Sequence, residues 1–262
     1  MTAGRQHRGE VLRTSKSNRF DAARWIACCL ALTAIAAWAD TPKPAINSVT
    51  PLGVPAGRTT TVTIYGEGLA PVTATVKAPL SVKVLASGPT DAKTKSRGAT
   101  QAAIEVTVPA SCPSDTFELV LSEPDKSVLK TSLCVIPATV VEAQIRKPAS
   151  TFATAMPLPG PSSAVEGQLD ADTADVIRFD AHAGEFWNIS LLAGRAGSLL
   201  DPVLRVRDSG HNTLALSTGD KKRDRQIVFR VPADGAYYVD ITDAEARGGA
   251  GYNYRVTVIR KP

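Results

Sequence analysis

The chain has 262 residues, 44% of them hydrophobic and 21% charged, with a net charge of +5 and a pI near 9.1. That is the make-up of a globular protein long enough for two modest domains, and it excludes a disordered or low-complexity chain. The basic excess lies in residues 1–39, which hold six Lys or Arg against two acids; the remainder carries 24 bases and 23 acids. A body so nearly neutral gives nucleic acid no electrostatic footing.

Residues 1–39 read as a secretory signal peptide. A basic stretch ends at Arg24, the mostly apolar run Trp25–Ala36 follows, and Ala37-Trp38-Ala39 supplies small residues at the positions a signal peptidase requires. Cleavage is expected before Asp40. The apolar run is short for a bilayer span. An uncleaved N-terminal anchor, or lipidation at Cys28 after Trp25-Ile26-Ala27, is the alternative. Export leaves Cys112 and Cys134, and two cysteines in an oxidising compartment predict one disulfide, with two free buried thiols as the alternative.

Residues 40–137 predict a first β unit. Ala45–Val49 and Thr59–Tyr65 read as strands around a Pro/Gly turn, and the Thr/Val alternation of the second suits a half-buried strand. Further strands are expected in 81–86, 102–110, 116–122 and 129–136, the last two joined by a turn at Glu123-Pro124-Asp125-Lys126. That hairpin carries Cys134 back toward the region of Cys112. Ile46-Asn47-Ser48-Val49-Thr50-Pro51, Gly57 and Val62-Thr63-Ile64-Tyr65-Gly66-Glu67-Gly68-Leu69 resemble the opening of TIG/IPT immunoglobulin-like domains. The resemblance implies an Ig-like sandwich.

Residues 138–160 predict a semi-rigid linker, punctuated by Pro148, Pro157 and Pro159, with the run 140–145 as a strand end. Residues 161–262 then show short alternating runs bounded by Gly, Asp, Asn or Pro, the pattern of a β-sandwich or jelly roll. Alternation assigns an inner set: Ile177 and Phe179; Trp187, Ile189 and Leu191; Leu204 and Val206; Ile227 and Phe229; Tyr237, Val239 and Ile241; Tyr254, Val256 and Val258. Gly167-Gln168-Leu169-Asp170, Asp175-Val176-Ile177-Arg178-Phe179, Leu199-Leu200-Asp201-Pro202, Val231–Tyr238 and Tyr252–Val256 resemble, in order, the bacterial pre-peptidase C-terminal domain. That resemblance implies a jelly-roll-like, non-catalytic sandwich appended to secreted hydrolases or surface proteins. Some members bind calcium through an acidic entry segment; here residues 145–159 are basic and lack acids.

Catalytic constellations are missing from the mature sequence. His182 and His211 fall in turns, and Asp208-Ser209-Gly210-His211 crowds its letters into one tight turn, where a triad has no room. Asp170, Asp172 and Asp175 are spaced for a calcium loop or for a plain polar turn. Lys221, Lys222 and Arg223 form a basic hairpin able to touch an anionic group or simply face solvent. Asn188-Ile189-Ser190 matches a glycosylation sequon inside a predicted strand. Tyr238 points outward on its strand and is the candidate for stacking on a ligand. The expectation is an all-β protein of two tandem sandwiches, secreted, periplasmic or at the cell surface. It binds a protein or polysaccharide without catalysis, or serves as the accessory part of a secreted peptidase system. No nucleic acid, no membrane span after cleavage and no obligatory cofactor are expected.

Overall fold

The computed structural model describes residues 43–261 apart from 114, 126 and 219–223. The expected leader and its cleavage point lie outside these residues. The chain from Pro42 onward forms one compact unit, whose described residues make four sheets around two hydrophobic cores. Among the described residues no helix is long and apolar enough to cross a membrane.

Eight strands make the first sandwich: β1 Ala45–Thr50, β2 Gly53–Pro55, β3 Thr59–Glu67, β4 Thr73–Val76, β5 Ser81–Pro89, β6 Thr100–Thr107, β7 Thr116–Ser122 and β8 Val128–Ile136. One sheet runs β1-β3-β6-β5 and the other β2-β8-β7-β4. Alternation explains the burial. Along β3, Val62 and Ile64 point into the core while Thr61 and Thr63 point out, and Val62 lies opposite Ile104 of β6. Gly66 is needed because a β-carbon there would collide with the Ala45 carbonyl of the neighbouring strand.

Ten strands make the second: β9 Val141–Gln144, β10 Met156–Pro157, β11 Ser162–Gln168, β12 Asp175–Ala181, β13 Phe186–Leu192, β14 Pro202–Arg207, β15 Thr213–Ser217, β16 Arg225–Arg230, β17 Gly235–Asp243 and β18 Asn253–Lys261. Their sheets run β10-β12-β17-β14-β15 and β16-β13-β18-β11-β9. Every residue of the inner set assigned by alternation lies in this core. Phe179 packs on Trp187 with ring centroids 4.7 Å apart. The Tyr237 hydroxyl donates to the Ala233 carbonyl at 2.6 Å, closing the corner before β17 as tyrosine corners do.

Residues 138–160, expected as a linker, are built into this sandwich. Strand β9 pairs in parallel with β11, and β10 pairs in parallel with β12. Proline is tolerated at such edges because only one side of the strand must donate.

The two cores are locked together by buried charge. Arg255 of β18 is 2% exposed. It pairs with Glu166 of β11 at 3.1 Å and with Glu142 of β9 at 2.6 Å. Glu166 also accepts the Gly53 N–H of the first sandwich at 2.7 Å. A β-carbon on Gly53 would strike the Arg255 guanidinium, so only glycine lets β2 approach this closely. Asn253 donates to Ser48 at 2.6 Å and Thr131 to the Ala196 carbonyl at 3.1 Å, while Leu192 and Ala196 join the first core.

Removing one partner of a buried ion pair strands the other, at a cost of roughly 3–5 kcal/mol. Arg255→Leu is therefore expected to lower unfolding free energy by about that amount, measured by urea denaturation. Arg255→Leu combined with Glu166→Leu should cost less than Arg255→Leu alone, and an unchanged urea midpoint in Arg255→Leu would count against the lock.

Candidate functional site

The alternation that buries Trp187, Ile189 and Leu191 sends Phe186, Asn188 and Ser190 to the outer face of the same sheet. Register aligns these with neighbours. Gln226 of β16 lies opposite Ser190, and Ser190 lies opposite Thr257 of β18, forming a row across three strands. Val228, Asn188 and Ile259 form the next row, and Arg230, Phe186 and Lys261 the one beyond. Strands stand about 4.8 Å apart, so each row presents side chains at regular intervals.

The first sandwich closes one end of this face. Thr116 and Cys134 stand across from Ser190 and Thr257, and between them runs a groove of about 360 Å³ whose wall also includes Arg195, Asp224, Arg225 and Arg255. Among the described residues no side-chain hydrogen bond engages the hydroxyls of Thr116, Ser190 or Thr257. The Gln226 amide donates to Asn188 at 2.9 Å, orienting both side chains on the face. Asp224 accepts from the Ala193 N–H at 2.9 Å and from the Arg195 backbone and Nε, fastening the 3-10 turn Gly194–Ala196 to the head of β16. Arg225 is buried and spent on the Pro202 carbonyl and Asp201, each at 2.7 Å. The groove thus combines oriented donors and acceptors with a neutralised wall and holds no nucleophile–base pair of usable geometry among its described lining residues.

Tyr238 points outward as alternation requires, on the opposite sheet, but it is not bare. Phe152, from the 3-10 turn Phe152–Thr154, meets its ring edge-on at 5.0 Å and stacks on His211 at 3.8 Å, with Arg207 5.8 Å above the Phe152 ring. Residues of the expected linker therefore cover the candidate ligand ring. His211 is used in this stack, and Asp208 accepts from the Asn212 N–H at 2.8 Å, so Asp208, Ser209 and His211 form no triad. His182 approaches Asp234 at 3.5 Å on the exposed surface. Lys221, Lys222 and Arg223 lie outside the described residues.

Asp170 and Asp175 converge on the ammonium of Lys147. Lys147 bridges Asp170 at 3.1 Å and the buried Asp175 at 2.8 Å, and Tyr254 donates to Asp175 at 2.8 Å. Asp172 stands in the turn with φ 56°. Among the described residues no group of three acidic, histidine or cysteine side chains is arranged to hold a metal ion.

The structure does not show the expected disulfide; it has Cys112 and Cys134 as free cysteines. Cys134 does return opposite Thr116, as the hairpin requires. Alternation, however, turns Leu133 and Val135 into the core and Cys134 toward the groove, while Cys112 is buried inside the first core. Cys134 packs against the rim of the core that contains Cys112, and no bond joins them. Burial pushes both thiols above the ordinary value; for Cys134 the Arg255 guanidinium opposes this.

Reductant is accordingly expected to leave the melting temperature unchanged. Alkylation of folded protein should modify Cys134 before Cys112; a shift of several degrees under reductant would contradict the free thiols.

Lys147 supplies another test. Burial pulls its ammonium down, and the hydrogen bonds and charges of Asp175 and Asp170 outweigh this, leaving it above the ordinary value. Stability from this raised group is fully present below its unfolded pKa, roughly 10.4, and is lost as pH rises through the folded value. Lys147→Met should cost about 2 kcal/mol, less than a fully buried pair because Lys147 is 37% exposed. The variant should also show a shallower alkaline loss of stability in pH-dependent urea titrations.

The groove was missed in the sequence because its two walls come from different sandwiches. One signal was available: Asn188 and Ser190, a polar pair at the spacing of one strand face, were noted only as a sequon.

No family model matches the chain, and no curated protein does. Solved structures show partial likeness. The pre-peptidase C-terminal domain of a Bacillus anthracis collagenase is 16% identical, with a TM-score of 0.31, covering 47% of this chain and 97% of that one. Aeromonas hydrophila PliG, a periplasmic inhibitor of g-type lysozyme, is 15% identical, with a TM-score of 0.31 and the same coverages of 47% and 97%. The Bacteroides ovatus mixed-linkage glucan utilization protein SGBP-B is 10% identical, with a TM-score of 0.23, covering 79% of this chain and 71% of that one.

Proposed function

We propose that this chain is an exported, non-catalytic binding module that holds an extended polysaccharide along the outer face of β13, β16 and β18. The observation that carries this reading is the row Gln226–Ser190–Thr257, with Thr116 opposite it across the groove. Hydroxyls that engage no side-chain hydrogen bond among the described residues suit a ligand that is itself a dense array of hydroxyls, since each can donate or accept. On the same face Phe186 is 47% exposed, and an aromatic ring offers an apolar surface to the C–H face of a sugar. Four residues of strand, about 13 Å, separate Phe186 from Ser190, so the ligand is a chain rather than a single ring.

The proposal takes the first sandwich as TIG/IPT-like and the second as pre-peptidase-C-terminal-like, on the residues that carry those resemblances. It places the mature protein in the periplasm, at the cell surface or outside the cell. Val228, 67% exposed beside Phe186, favours a second reading in which the same face docks a protein, such as the peptidase of a secreted system.

The test is affinity electrophoresis and calorimetry of the processed chain against a panel of neutral and acidic polysaccharides and envelope fractions. Ser190→Val with Thr257→Val removes two hydroxyls, each worth about 1 kcal/mol, so binding should fall by roughly tenfold or more at an unchanged melting temperature. Binding that survives this double substitution, or the absence of any polysaccharide ligand, defeats the proposal.

A further inference from the structure

Three arginines line the groove, and two are committed. Arg255 is spent on Glu142 and Glu166, and Arg225 on Asp201 and the Pro202 carbonyl. Arg195 is different. Its side chain is 48% exposed, and Asp224 holds its backbone N–H and Nε. Among the described residues its two terminal nitrogens have no partner. Asp224 therefore steers the guanidinium from the protein side and leaves the terminal fork turned to the groove, with little side-chain freedom left to lose.

The far end of the same face repeats the sign. Register sets Phe186 between Arg230 and Lys261, both exposed at the strand ends. Arg230 stands 5.7 Å from the Phe186 ring centroid. The acids near this face are already paired: Asp224 with Arg195, and Glu142 and Glu166 with Arg255. What remains for a ligand is the spare terminal N–H fork of Arg195 at one end, a cationic pair at the other and hydroxyls between.

Resting on the polysaccharide reading above, we infer that the ligand is an acidic polysaccharide, with Arg195 receiving a sugar carboxylate and Arg230 and Lys261 receiving another further along. A planar carboxylate matches the guanidinium fork in a bidentate pair, which a hydroxyl cannot do.

The experiment compares polygalacturonate, alginate and hyaluronan with their carboxyl-reduced counterparts, using the processed full chain in calorimetry at low and physiological salt. At least one acidic polymer should bind about tenfold or more tighter than its reduced form, a difference of about 1.4 kcal/mol. The difference should narrow as salt rises. Arg195→Gln should narrow the gap between acidic and reduced polymer by its own share, with the protein still folded by circular dichroism. Arg230→Gln with Lys261→Gln, at exposed positions where folding is not at stake, should narrow the difference independently. Equal binding of acidic and reduced polymers, or a preference that survives both sets of substitutions, overturns the inference while leaving the polysaccharide reading standing. So does binding confined to neutral polymers. Failure of every polysaccharide to bind removes both.

Discussion

The junction of Arg255, Glu166 and Glu142 is the constraint on which the rest of the molecule depends. Burying a guanidinium and a carboxylate costs several kcal/mol per ion before any attraction is counted. Here the cost is offset by a convergent set of partners: Glu166 takes Arg255 and the Gly53 N–H together, while Arg255 donates to Glu142 with both terminal nitrogens. Apolar residues could have sealed the same gap with less electrostatic risk. What the charged junction adds is direction. Glu166 can accept the Gly53 N–H only when β2 lies against the guanidinium, and a side chain at position 53 would forbid that approach.

The groove follows from that direction. Thr116 and Cys134 stand across from Ser190 and Thr257 only while the first sandwich stays in register with the second. The Thr131–Ala196 bond and the insertion of Leu192 and Ala196 into the first core hold the same register from the other side. Asp224 then pins the turn that carries Arg195. A ligand meeting walls already fixed has less ordering entropy to supply, so modest hydrogen bonds count for more of its affinity.

How far this was legible in the sequence depends on the range of each interaction. Most of the core of the second sandwich was legible, because burial along a strand has period two and Ile177 through Val258 obey it strand by strand; Ala149 and Met156, from the segment read as a linker, also enter it. Tyr238 was rightly turned outward by the same rule, but Phe152 packs on it from more than eighty residues away, and no local pattern encodes that contact. The segment 138–160 looked like a linker because proline thins its hydrogen bonding, yet β9 and β10 need only one donating edge. The cysteines are unpaired in the structure, an outcome the sequence left open: the hairpin returns Cys134 opposite Thr116 without fixing its reach to Cys112. The groove was the least legible feature, since it belongs to neither sandwich alone.

The same logic explains how a nearly neutral body distributes its charge unequally over its two sheets. On the sheet that carries Tyr238, charges cancel in place: Asp240 holds Arg205 and Arg207, and Asp180 holds Arg178. Phe152 then packs over part of what remains. On the sheet that carries Ser190, the acids are drawn to structural tasks at its margin, Glu142 and Glu166 to the junction and Asp224 to the turn. Arg230, Lys261 and the terminal fork of Arg195 are left facing outward. Net charge averages over these two surfaces and conceals both. The asymmetry between them follows from where the acids are used, Glu142 and Glu166 on Arg255 and Asp224 on the turn.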